Sequence, residues 1–181
     1  RYGGKQAAVS LRFDDAHPTQ LDKAVPLLNE FGFPGTFMVN PGRPTYQERR
    51  TEWEQTLPAQ GHELADHTMN HGGASTDDEA TAEIAGCADY PRALAPQGSP
   101  MLAFARGGGT TWMQRRPTES FLKTSHLIGG MGGSMSCSED YPSFSLDAVR
   151  SRLDRAIRNG EWFQTHYHCV DEGYIKISSA T

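Results

Sequence analysis

Four short strand-like runs in this chain each end on polar side chains of the kind that do chemistry, and helix-like stretches separate them. In residues 7–13, Val9, Leu11 and Phe13 share one face at period two, and the run stops on Asp14 and Asp15. Residues 61–65 deliver His67, residues 101–105 deliver Arg106, and residues 161–169 deliver His166 and His168. A further strand is expected over 33–39. Strands alternating with helices fold as an α/β domain with a mainly parallel sheet, because a parallel neighbour needs a crossover long enough to hold a helix. Barrel-type α/β folds build their active sites at the C-terminal strand ends. A full eight-fold barrel takes about 250 residues. The 181 residues here predict a single domain, 1–181, with a smaller and incomplete barrel.

The helices are read from spacing and caps. Leu21, Ala24, Val25, Leu28 and Phe31 recur at helical intervals after Pro18, and Gly32 is placed to stop them. Pro26 inside that pattern predicts a kink or a shorter first segment. A weak helix is expected over 52–57, ending near Pro58. Thr76-Asp77-Asp78-Glu79 has capping-box spacing and should start a helix running to about Ala88. Leu146, Val149, Leu153 and Ile157 mark an amphipathic helix ending at Gly160, whereas the glycine-rich stretch 129–138 reads as irregular chain.

The chemistry lies in the polar ends. His67 and His71 sit four residues apart. On a helical turn that spacing puts both imidazoles on one face, about 5–6 Å apart at Cβ. With an acidic pair they can build a carboxylate–His–His site, three protein ligands that leave positions open for water and substrate. Taken alone, the histidines also suit surface or core positions, and the aspartates suit an acidic turn before the Pro18 helix. Asp14 and Asp15 cannot both carry an unrelieved buried charge. A metal on one and an arginine facing the other resolves this.

Composition narrows the partners. With 17 basic against 22 acidic residues the net charge is -5, and no basic cluster offers a nucleic-acid footprint. Mean hydropathy is -0.60, and no apolar stretch approaches the roughly 20 residues of a membrane span. Cys87, Cys137 and Cys169 are isolated, leaving either one bridge and a free thiol or three free thiols. The sequence opens at Arg1 without an initiator Met or an apolar leader, which reads as a mature or excised domain.

Phe13-Asp14-Asp15 resembles the Thr-Phe-Asp-Asp-Gly motif of the polysaccharide deacetylases, the NodB-homology domains of carbohydrate esterase family 4. His67-Thr68-Met69-Asn70-His71 is similar to their His-Ser/Thr-x-x-His motif in full, and residues 33–39 look like the intervening strand. The resemblance implies a distorted, incomplete (β/α) barrel. It also implies that Asp15, His67 and His71 bind a divalent metal, Zn2+ first with Co2+ or Ni2+ as alternatives. Asp14 would be the general base, Arg106 its partner, and a histidine on the last strand the general acid. His168, followed by Cys169-Val170, resembles the family's terminal histidine more than His166 does; His166 is the alternative acid.

The implied substrate is an acetylated polysaccharide or oligosaccharide, N- or O-linked, with a secreted or cell-envelope location. Gly107, in the glycine run after Arg106, is a candidate oxyanion donor, and Trp112 a candidate sugar platform. The chain departs from the family pattern at Arg12 (usually Thr) and Ala16 (usually Gly). Arg106-Gly107-Gly108-Gly109 lacks the usual Arg-x-Pro-Tyr form, and the acidic-Trp motif has no clear counterpart. Three rivals stand beside this reading: a C–N hydrolase on a small non-sugar amide, non-haem iron chemistry at a two-His-one-carboxylate triad, and an inactive carbohydrate-binding domain.

Overall fold

The computed structural model describes residues 4–94, 102–103, 127–128 and 135–180. In chain order its elements are β1 (Ala8–Asp14), α1 (Val25–Phe31), β2 (Thr36–Val39), α2 (Pro44–Gln47), α3 (Leu57–Ala59), β3 (Glu63–Asp66), α4 (Asp77–Ala80) and α5 (Gly86–Leu94). Then follow β4 (Leu102–Ala103), β5 (Leu127–Ile128), β6 (Met135–Ser136), α6 (Leu146–Asn159), β7 (Trp162–Tyr167), β8 (Cys169–Val170) and β9 (Lys176–Ile177). The chain divides into two compact units. One takes Arg1–Phe13, Pro18–Gly35 and Gly133–Thr181; the other takes Asp14–His17 and Thr36–Gly132.

In the first unit β7 pairs in parallel with β1, from Ala8 opposite Trp162 to Phe13 opposite Tyr167. On its other edge β7 pairs with β6, so a strand forms within the stretch expected to be irregular. Phe13 and Tyr167 pack ring to ring at 5.2 Å. α6 runs as its signals require: the Ser145 hydroxyl accepts from the Ala148 N–H, and Gly160 at φ 69 takes the left-handed turn that ends it. The expected strand over 161–169 is interrupted at His168. Cys169–Val170 pairs instead with Lys176–Ile177.

In the second unit β2 and β3 pair in parallel, from Thr36 opposite Glu63 to Val39 opposite Asp66. β2 begins only at Thr36, because Pro34 has no N–H to give a ladder. Phe37, Met38 and Val39 are all fully buried, as a parallel strand covered on both faces must be. Trp53 lies 6.0 Å from Phe37 and stacks on Tyr46 at 6.1 Å. Burying each such side chain contributes about 1.5–3 kcal/mol. β4 pairs with β5, two residues of the strand expected at 101–105.

The prolines are accommodated by widened turns. The Val25 N–H reaches back five residues to Gln20 O, and the Leu57 N–H likewise reaches Glu52 O. Each of these π-helical turns stands directly before a proline, Pro26 or Pro58, which has no N–H for the ladder. The helix over 18–31 therefore runs on through Pro26. The helix around Trp53 passes Pro58 rather than ending there. A third such turn, Thr81–Ala85, joins α4 to α5.

Candidate metal centre

β1 delivers Asp14, and the chain then turns through two left-handed residues, Asp15 at φ 75 and Ala16 at φ 49. The Asp15 N–H donates to Met38 O at 3.1 Å, which ties this turn to the end of β2. Both carboxylates are buried, Asp14 at 3% and Asp15 at 4% exposure. β3 delivers His67, whose N–H donates to Val39 O at 3.2 Å. Residues 67–71 are not helical, contrary to the helical-turn expectation. Thr68 at φ 73 and His71 at φ 58 bend the loop instead. That bend brings His67 Nε2 to 3.2 Å and His71 Nε2 to 3.1 Å from one oxygen, Asp15 Oδ1. Among the described residues, four of the six non-glycine positions with positive φ belong to these two segments. Backbone strain is thus gathered at the polar cluster, as it is at functional sites.

The loop is held by its neighbours. Asp66 Oδ1 accepts the Thr68 N–H at 2.8 Å. Burial pushes the Asp66 carboxyl up to about 7, against the lowering effect of that N–H. Asn40 Nδ2 donates to the carbonyls of His67 and Thr68 at 2.7 and 2.9 Å. The Gly42 N–H donates to Met69 O at 2.8 Å. Glu83, in the third π-helical turn, accepts the Met69 N–H on its carbonyl at 2.7 Å and the Asn70 N–H on its carboxylate at 2.9 Å. None of these four was singled out from the sequence. Asn40 carried a signal, being a polar residue at a strand end like the other candidates.

Asp15, His67 and His71 offer ligand atoms that all lie within 4.8 Å of one another. Ligands about 2.0–2.1 Å from a tetrahedral ion stand about 3.3 Å apart, close to the two separations measured to Asp15 Oδ1. One carboxylate and two imidazoles suit zinc and its first-row neighbours. The donor set fits such a cation. Asp14 Oδ2 stands off at 3.8 Å from His67 Nε2, outside that trio.

The other predicted residues fall elsewhere. Arg106, Gly107 and Trp112 lie outside the described residues. His166 and His168 belong to the first unit, where their rings lie 6.1 Å apart; His166 is on β7 and His168 just beyond its end, so the two do not share one strand as expected. His168 O accepts from Gln20 Nε2 at 2.7 Å, and its ring meets Tyr174 edge-on at 5.1 Å. Cys87, Cys137 and Cys169 are three buried free thiols. Arg12 is buried at 6% exposure.

The family model for polysaccharide deacetylases matches residues 1–116. This chain belongs to the polysaccharide deacetylase family. Solved structures agree. The catalytic domain of a peptidoglycan N-acetylglucosamine deacetylase from Eubacterium rectale superposes with a TM-score of 0.63 at 16% identity, over 93% of this chain and 78% of its own. A family 4 carbohydrate esterase from Streptomyces lividans, solved with acetate, gives 0.62 at 18% identity, over 88% and 79%. A family 4 pseudoenzyme from Bacillus anthracis gives 0.61 at 16%, over 91% of this chain but 56% of that protein's length. At such identities the likeness fixes the fold, a parallel sheet with helices in a distorted, incomplete (β/α) barrel of the NodB-homology type. Whether a member of this family turns over substrate depends on its site residues.

Proposed function

We propose that this deacetylase-family chain is one catalytic domain that hydrolyses acetyl groups, N- or O-linked, from a carbohydrate with the aid of a divalent metal, zinc first. The observation that carries the proposal is the meeting of His67 and His71 on one Asp15 oxygen, with a second buried carboxylate, Asp14, standing beside the trio. Family membership and the deacetylase structures it resembles support the same reading.

Asp15, His67 and His71 would hold the ion. When bound, it supplies Lewis-acid polarisation of the acetyl carbonyl and lowers the pKa of water towards about 7. Asp14 is left unligated, and its Oδ2 takes the proton of the attacking water as general base. The assigned acid is His168, whose imidazole returns a proton to the departing amine or alcohol; His166 is the alternative. Arg106 pairs with Asp14 in this scheme, Gly107 donates its N–H to the developing oxyanion, and Trp112 stacks on a sugar ring. The matching structures include a peptidoglycan deacetylase, which supports trying a cell-envelope polymer first and supports the reading of a secreted or envelope location. Among the described residues no helix is long and apolar enough to cross a membrane.

The test is an acetate-release screen over peptidoglycan, chitooligosaccharides, acetylated xylan and small amides, with and without chelator. Acetate should be released from a carbohydrate, lost with chelator and restored by zinc. Asp14→Asn should keep its metal and lose about 10²–10⁴-fold in turnover, whereas Asp15→Ala should lose the metal itself. Turnover of small amides alone would replace this reading with the C–N hydrolase. Sugar binding without any turnover would replace it with the inactive binding domain.

A further inference from the structure

The segment that carries His67 and His71 has no regular structure of its own, yet both imidazoles reach the same carboxylate oxygen. Its shape is therefore imposed by what surrounds it. Asn40 follows β2 directly and is fully buried. Its Nδ2 lies 2.7 Å from His67 O and 2.9 Å from Thr68 O. In extended chain the backbone is pleated and successive residues face opposite ways, so one donor does not ordinarily serve two carbonyls in a row. Thr68 at φ 73 turns the second carbonyl towards the first. A carboxamide carries two N–H protons, one for each. Flipping the amide would set an oxygen against two oxygens, so the contacts also fix its orientation.

We propose that Asn40 is the positioning residue of the metal centre, gripping the His67 and Thr68 carbonyls so that the loop beyond them bends and returns His71 to Asp15. The inference rests on the reading of Asp15, His67 and His71 as metal ligands. The other supports grip different atoms. Asp66 takes the Thr68 N–H, while Gly42 and Glu83 hold Met69 and Asn70. Asn40 holds the two carbonyls on either side of Thr68, where the chain turns.

The experiment compares zinc affinity, by competition with a chromophoric chelator, and the visible spectrum of the Co2+-loaded protein. It uses the wild type, Asn40→Asp, Asn40→Ser and Asp15→Ala. Leu57→Ala, altered in the core of the same unit, serves as the control for general loss of stability. Asn40→Asp should bind zinc about 10–100-fold more weakly and shift the Co2+ bands, which report ligand geometry. Asn40→Ser, too short to span both carbonyls, should fall in the same direction and carries the comparison should Asn40→Asp not fold. Leu57→Ala should melt earlier with unchanged affinity and spectrum.

Wild-type zinc affinity and Co2+ bands in the folded Asn40 variants would overturn the proposal. So would an equal loss of affinity in Leu57→Ala. Wild-type protein that binds zinc no better than Asp15→Ala would instead bring down the ligand reading, and this inference with it.

Discussion

Ala16 occupies a backbone conformation that favours glycine. It sits at φ 49, fully buried, where the family motif ends in Gly. A side chain in the left-handed region costs about 1 kcal/mol, so the substitution is dearer than its small change in volume suggests. Ala16→Gly should raise unfolding free energy by about that amount in a urea titration. A loss would mean that the buried methyl outweighs the strain. At Gly42 the constraint is space. An added Cβ would meet Asn70 Oδ1 at 2.1 Å and Met69 O at 2.9 Å, so the histidine loop itself must shift. Gly42→Ala should therefore weaken zinc binding by about tenfold or more. Gly32→Ala, strained at φ 69 but with nothing near its Cβ, should cost about 1 kcal/mol of stability and leave metal affinity unchanged. Asp15, His67 and His71 were legible as a group that could hold a metal, because a carboxylate and two imidazoles are the residue types that do so. Asn40 and Glu83 were not, since each acts on backbone groups far along the chain, where spacing carries no signal.

The helix over 77–94 couples a surface cap to the site at the scale of an element. Thr76 and Glu79 form a complete capping box, each side chain accepting the other's N–H. The π-helical turn that follows directs the Glu83 carbonyl to the Met69 N–H. Thr76→Ala should cost about 1 kcal/mol and should speed hydrogen exchange at Met69 and Asn70, both held by Glu83. Unchanged exchange there would mean that the loop does not depend on this helix. Elements with clear apolar spacing and a stop were legible, as α6 shows up to Gly160. The π-helical turns were hidden, because a single widened turn leaves the apolar residues on nearly the same face. β8 and β9 were hidden because two-residue strands contain no period to read.

For the molecule as a whole, pH and chain connectivity make separate predictions. His62 is buried against the edge of Phe37, and burial holds its pKa below the ordinary 6.5. The unfolded chain then binds the proton more readily than the folded one. Stability is full above about pH 6.5 and falls as pH drops through the interval between the two pKa values. The stability of His62→Phe relative to wild type should accordingly rise between pH 7 and pH 5. A constant difference would remove His62 from the acid response.

Connectivity sets the order of assembly. Thr36 bonds Glu63 across 27 positions, whereas the Trp162 indole bonds Ser10 across 152. Closing the longer loop costs about 1.5 kcal/mol more chain entropy. Pulsed hydrogen exchange during refolding should protect β2 and β3 before β1 and β7.

The assignment of Asp14–His17 to the second unit, while the rest of β1 stays with the first, bears on how such a site is inherited. A recombination event that imported residues 36–132 alone would bring both histidines and neither aspartate. One that exchanged only the opening strand would carry the aspartates away from their partners. The group that could hold a metal would therefore pass between genes only as one block, from Asp15 to His71.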